Sequence, residues 1–193
     1  MSIFHSKLAV QLAIGSVFAV TNRQDLLKQL IENSIATHQQ WYEALLQTYL
    51  FAGFPCALQA LMTLSNVTGI THTYSFTYDT ELFNIQGQNT CKEVYGSVYD
   101  KLRVTLHQIS PELEASMIIE GYGKILSRTE LSLIYREIAI VAILRQSGWH
   151  TQNISHTRGA QRLGITKDEL EIVLNECFAY TVEKGLPPPL IQE

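Results

Sequence analysis

"LSLIYREIAIVAILRQ", residues 131–146, decides the fold. Its middle, 138–144, is apolar at every position, which leaves a helix no face for water, so such a helix lies at the centre of a protein. Other helices must then surround it, and helix signals recur on both sides. Downstream, a helix from about 150 to 163 stops at Gly164, placed as a C-cap glycine. Thr166 and Glu169 form a capping box for a last long helix, which "GLPPP" ends near 185. Upstream, Ser127 and Glu130 are expected to cap the central helix itself. Ser110 caps "PELEASMIIEGYGKIL", with Pro111 in its first turn, and Thr90 with Glu93 caps "CKEVYGSVYDKLRVTL".

Towards the N-terminus, helices are expected over 4–20 and 23–35. A capping box at Thr37 and Gln40 opens "WYEALLQTYLFAG", and Pro55 opens a helix to about Ser65. Residues 68–88 break the pattern and are read as an irregular loop, with a short strand around "TYSFTY" as the alternative. These signals together specify an all-α chain in one compact domain over 1–193. Shifting it by 128 residues lays the helix 8–20 on 136–148 and Glu43 on Glu171. The match is one of pattern, and it divides the chain into a first degenerate repeat (1–67), the loop (68–88), linking helices (89–128) and a second repeat (129–193).

A length of 193 residues suffices for one well-buried core or two small repeats sharing one. A net charge of −4 removes the electrostatic case for nucleic acid, which calls for a clustered basic face. Cys56, Cys91 and Cys177 are odd in number and widely spaced, which argues for a reducing, cytoplasmic setting. Lys7 and the apolar run 8–20 have the outline of a signal peptide. That run is too short to span a bilayer and is read as a buried helix, so no membrane partner is expected.

Chemistry concentrates at three residues. Arg136 and Glu137 carry charge into the border of the apolar run, where an unpaired carboxylate is costly. His156 follows one helix later, and a short antiparallel connection at 148–150 could bring it to Glu137. A carboxylate that orients an imidazole makes a proton-transfer pair near neutral pH. By spacing alone, an internal ion pair with a histidine on the helix surface is the plainer alternative. Gly159 and Ala160 would let another helix approach the turn beside His156.

Cys91 is expected at the first helical position after Thr90, beside Lys92, where a thiol pKa falls. The sharp reading is a reactive thiol resolved by Cys56; the plain one is a small residue filling a helix entry. Tyr95 and Tyr99, spaced i, i+4, could face one pocket and donate hydrogen bonds. His5, His38, His72, His107 and His150 show no metal-ligand spacing with one another, so no metal is assigned.

"YREIAIVAIL" followed by "SHTRGAQRLGITKDELEIVL" resembles the carboxymuconolactone decarboxylase-like superfamily, which includes the alkylhydroperoxidase-like AhpD proteins. The arginine–glutamate pair before an apolar run, the H-x-R-G-A turn and the glycine before an acidic helix start carry the likeness. "EALLQTYLFAGFPCAL" is similar to the closing helix of the same repeat. The resemblance implies an AhpD-like helical bundle of two degenerate repeats, assembled as a trimer or hexamer. The peroxidase branch places a C-x-x-C pair between its glutamate and histidine; here those two positions hold Trp149 and Gln152, so no dithiol can cycle there.

What the resemblance then implies is the decarboxylase branch, a lyase without cofactor acting on a small carboxylated lactone or related acid. His156 would be its general acid/base and Glu137 the partner that sets its tautomer. Arg136 or Arg158 would anchor the carboxylate. Leu8, Ala9 and Lys28 fill the matching places of the first half, which is therefore expected to be structural. Two other readings stand beside it: a thiol-dependent antioxidant protein using Cys91, and a non-catalytic oligomeric scaffold that binds a small molecule.

Overall fold

The run 138–144 forms the middle of a helix that is buried continuously from Arg136 to Gln146. A computed structural model describes residues 6–71 and 75–192. In chain order the helices are α1 (Ser6–Val20), α2 (Gln24–Glu32), α3 (His38–Leu46), α4 (Tyr49–Ala52), α5 (Phe54–Thr68) and α6 (Thr80–Tyr95). A 3-10 turn (Gly96–Val98) leads into α7 (Tyr99–Ile109). Then α8 (Pro111–Ser116) runs on into a π-helical segment (Met117–Leu126), followed by α9 (Leu133–Ser147), α10 (His150–Arg162) and α11 (Lys167–Glu183). Among the described residues there is no strand, and the chain is all-α. None of the described helices is long and apolar enough to cross a membrane.

α9 is apolar all round because it divides two cores. Ile138, Val141 and Ala142 join a larger one with Leu12, Phe18, Leu27, Trp41 and Leu174 from α1, α2, α3 and α11. Ile140 and Leu144 join a smaller one with Cys91, Val94, Ile118 and Tyr122 from α6 and the π segment. Two ion pairs tie α9 to its neighbours: Arg136 to Glu43 of α3, and Arg145 to Glu171 of α11. Those two glutamates are the pair that the 128-residue shift superposes.

Two of the three expected capping boxes form, Thr37 with Gln40 and Thr166 with Glu169. Ser110 caps α8, Pro55 lies in the first turn of α5, and Gly164 ends the α10 turn at φ +107°. Other boundaries differ from expectation, among them breaks at 47–48 and at Gly96 in helices expected to be continuous. The loop is shorter than 68–88, because the Asp79 side chain accepts from Leu82 N at 3.0 Å and starts α6 at Thr80. Its described part, 69–71 and 75–79, holds no strand; Thr73 and Tyr74 lie outside the described residues, as do His5 and His72. Thr90 is consequently the interior of α6 and caps nothing. The central helix starts at Leu133 rather than after Ser127, whose hydroxyl donates back to Gly123 O inside the π turn.

Candidate active site

α10 packs on both α9 and α6, and this brings His156 against Glu137. Glu137 Oε2 accepts the Nδ1–H of His156 at 2.8 Å, with the carboxylate fully buried. Gly159 makes the approach possible. A Cβ on it would stand 2.8 Å from Glu137 Oε2 and 2.7 Å from Val94 Cγ1. The small residues beside His156 therefore admit a carboxylate and a helix of the same chain. A carboxylate on Nδ1 fixes the tautomer and leaves Nε2 as the nitrogen available for chemistry. The second oxygen, Glu137 Oε1, is buried with no hydrogen-bond partner among the described residues.

His156 lines a cavity of about 510 Å³. Its ring meets Phe51 edge-on at 5.9 Å and Tyr95 at 6.3 Å, and Tyr95 meets Tyr122 at 6.1 Å. The Tyr122 hydroxyl donates to Tyr95. Burial pushes the Tyr95 phenol up to about 12 and that of Tyr122 well above the usual tyrosine range, with the Glu137 charge adding to both. Both phenols therefore stay protonated at neutral pH; the Tyr122 hydrogen goes to Tyr95, which leaves the Tyr95 hydroxyl as the donor toward the cavity. Gln152, at one of the two positions where the dithiol is missing, lines the same cavity.

The other expected site residues fall elsewhere. Arg136 is fully buried and turned to α3 rather than to the cavity: Nη2 donates to Glu43 Oε2 at 2.8 Å and Nε to Leu131 O at 3.1 Å. Glu43 also receives Arg128 through two hydrogen bonds of 2.8 and 2.7 Å, so this cluster knits the loop before α9 to α3. Arg158 is exposed on the outer side of α10 and does not line the cavity. Tyr99 is separated from Tyr95 by the break at Gly96, where φ is +57°. Its hydroxyl instead accepts from Arg103 Nη1 at 3.2 Å. Cys91 is interior to α6, wholly buried, and far from the helix entry expected for it. Burial raises its thiol to about 12, outweighing the lowering by Arg103. All three cysteines are free.

Sequence reasoning missed Phe51, on the short α4, and the cavity face of the π segment, whose turn is invisible to a search for the 3.6-residue period. Gly121 and Gly123, flanking Tyr122, were the available signal.

Fold and site together define an all-helical protein in which a buried carboxylate–imidazole pair opens on a largely apolar hollow. No family model, no curated protein and no solved structure matches the chain.

Proposed function

We propose that this protein is a cofactor-independent acid/base enzyme of the lyase type, acting at carbon on a small lactone or related carbonyl compound. One observation carries the reading: the 2.8 Å contact between buried Glu137 and His156, with the imidazole lining a cavity of about 510 Å³. His156 Nε2 moves the proton, and Glu137 holds the ring and stabilises its charged form. The Tyr95 phenol, on the cavity wall beside the His156 ring, would supply a donor to a developing enolate oxygen. The resemblance to the carboxymuconolactone decarboxylase-like superfamily points the same way. The thiol-dependent alternative loses its support with Cys91 buried in mid-helix.

The test is a panel of unsaturated lactones and keto acids incubated with the full chain in D2O, with deuterium entry at carbon followed by NMR. The wild type should exchange or convert at least one member. His156→Gln should lower that rate by about 10²–10⁴-fold, the usual worth of a general acid/base, with the helical circular dichroism spectrum intact. Unchanged turnover in the variant rules the role out, and binding without product favours the scaffold reading.

A homo-oligomer, trimer or hexamer as the resemblance implies, belongs to the same proposal. Phe54, Leu58 and Met62 support it, standing exposed along one face of α5 at successive turns. A cytoplasmic setting rests on the three free thiols.

A further inference from the structure

The cavity beside His156 says more about its ligand than the proton-transfer pair does. Among the described residues, no lysine or arginine lines it. The charged side chain on its wall is an acid, Glu120, whose own partner is Lys124 outside the lining. A second carboxylate, Glu137, stands directly behind the His156 ring. The remaining wall is mainly apolar, from Leu50, Phe51, Leu106, Leu113, Met117 and Leu126. A carboxylate entering this hollow would lose hydration and find no arginine or lysine on its wall; the Lys124 ammonium at its edge is already held by Glu120, and a protonated His156 is already held by Glu137.

One wall of the cavity is the π segment. Its hydrogen bonds close over five residues rather than four, and this winding turns Met117, Gly121, Tyr122 and Leu126 to the cavity together. Gly121 is unlike the segment's other glycine. A Cβ on Gly123 would collide with the Phe83 carbonyl at 1.9 Å, whereas a Cβ on Gly121 would meet nothing within 4 Å. Space at Gly121 is therefore cavity rather than packing.

We infer that this cavity selects uncharged, mostly apolar carbonyl compounds, and that Gly121 sets the largest one it admits. The inference rests on the acid/base reading for the choice of cavity and names the substrate class that this site takes. It departs from the carboxylated substrate that the resemblance implies.

Affinity tests it independently of turnover. Titration calorimetry on the full chain compares 1-acetylnaphthalene with 1-naphthoate, which share a skeleton but differ in charge, and with acetophenone, which is smaller by one ring. The wild type should bind acetylnaphthalene at least about tenfold tighter than naphthoate, since a desolvated, unpaired carboxylate is penalised by more than that. Gly121→Val should cost acetylnaphthalene about tenfold or more and acetophenone less than about threefold. Gly121→Ala, whose methyl enters open space, should cost the larger ketone about threefold, and it keeps the test readable if the valine variant fails to fold. Naphthoate binding as tightly as the ketone overturns the inference. So does an equal effect of position 121 on both ketones, or no binding of either ketone to the wild type at millimolar concentration. Ketone binding graded at position 121 in a protein that turns nothing over would leave this inference standing and remove the enzymatic one. Turnover lost in His156→Gln, with affinities indifferent to position 121, would do the reverse.

Discussion

Glu43 carries two guanidiniums, Arg128 and Arg136, on one fully buried carboxylate. Burial pushes its pKa up, but the hydrogen bonds and charges of the two arginines outweigh that, and the carboxyl ends below its ordinary value. A lowered carboxyl stabilises the fold above the unfolded-state pKa and stops doing so as pH falls through the folded one. Glu43→Gln should therefore cost about 3–5 kcal/mol in urea unfolding at pH 7, because it strands a buried arginine. The gap between variant and wild type should narrow below about pH 4.5, the range in which Glu43 takes up its proton. A gap independent of pH would contradict the ion-pair account. The thiols give a second check. Iodoacetamide on the native protein at pH 8 should modify Cys56, which is partly exposed, and spare the buried Cys91 and Cys177 until the chain is denatured. Peptide mass spectrometry showing Cys91 modified in the folded state would reopen the thiol-dependent reading. The Glu137–His156 contact was only half legible: a charge bordering an apolar run needs a partner, but spacing alone favoured a histidine on the helix surface. The fate of Arg136 was not legible, since its partner lies 93 residues earlier in the chain.

Elements were legible wherever a side chain announces an end. The two capping boxes, Ser110 and the prolines fix backbone groups locally and need no tertiary context. The misreading of α6 has one cause: beyond its Asp79 cap, this helix is held by a neighbour. Its Gly87 presses against the π segment so closely that a Cβ would stand 2.0 Å from Ile118 O, and Gly123 presses back on Phe83 O. Two backbones meeting through reciprocal glycines leave a sequence rich in Gly, Gln and Asn, which reads as a loop until the partner is present. Alanine at either position must force the two elements apart, at about 1–3 kcal/mol or more. Gly121→Ala, two residues from Gly123, should be neutral or slightly stabilising, since it relieves backbone entropy without a clash. Thermal unfolding of the three variants checks this. For a chain of this size, Gly87→Ala and Gly123→Ala should each lower Tm by several degrees, about 2–4 °C per kcal/mol, and Gly121→Ala should not. Equal shifts in all three would contradict the π register.

At the scale of the molecule, the apolar run 138–144 demanded a central helix and obtained one that serves two cores. That demand could be read from composition alone, but what the remaining apolar surface is for could not. Phe54, Leu58 and Met62 are 75%, 58% and 51% exposed. They recur every four residues along α5, so one face of that helix offers a continuous apolar stripe. Phe54 already stacks on Tyr49 with ring centroids 5.1 Å apart, which holds the start of the stripe rigid and lowers the entropy lost on covering it. If the proposed homo-oligomer uses this face, Phe54→Glu with Leu58→Glu places two carboxylates on each copy where the copies would meet. The double variant should then sediment as a 21.8 kDa monomer, while the wild type sediments as a multiple of that mass. Because both side chains stand in water in the single chain, the substitutions should leave the helical circular dichroism spectrum of the monomer unchanged. A wild type that is itself monomeric, or a double variant that still assembles, would move the interface off α5 or remove it altogether.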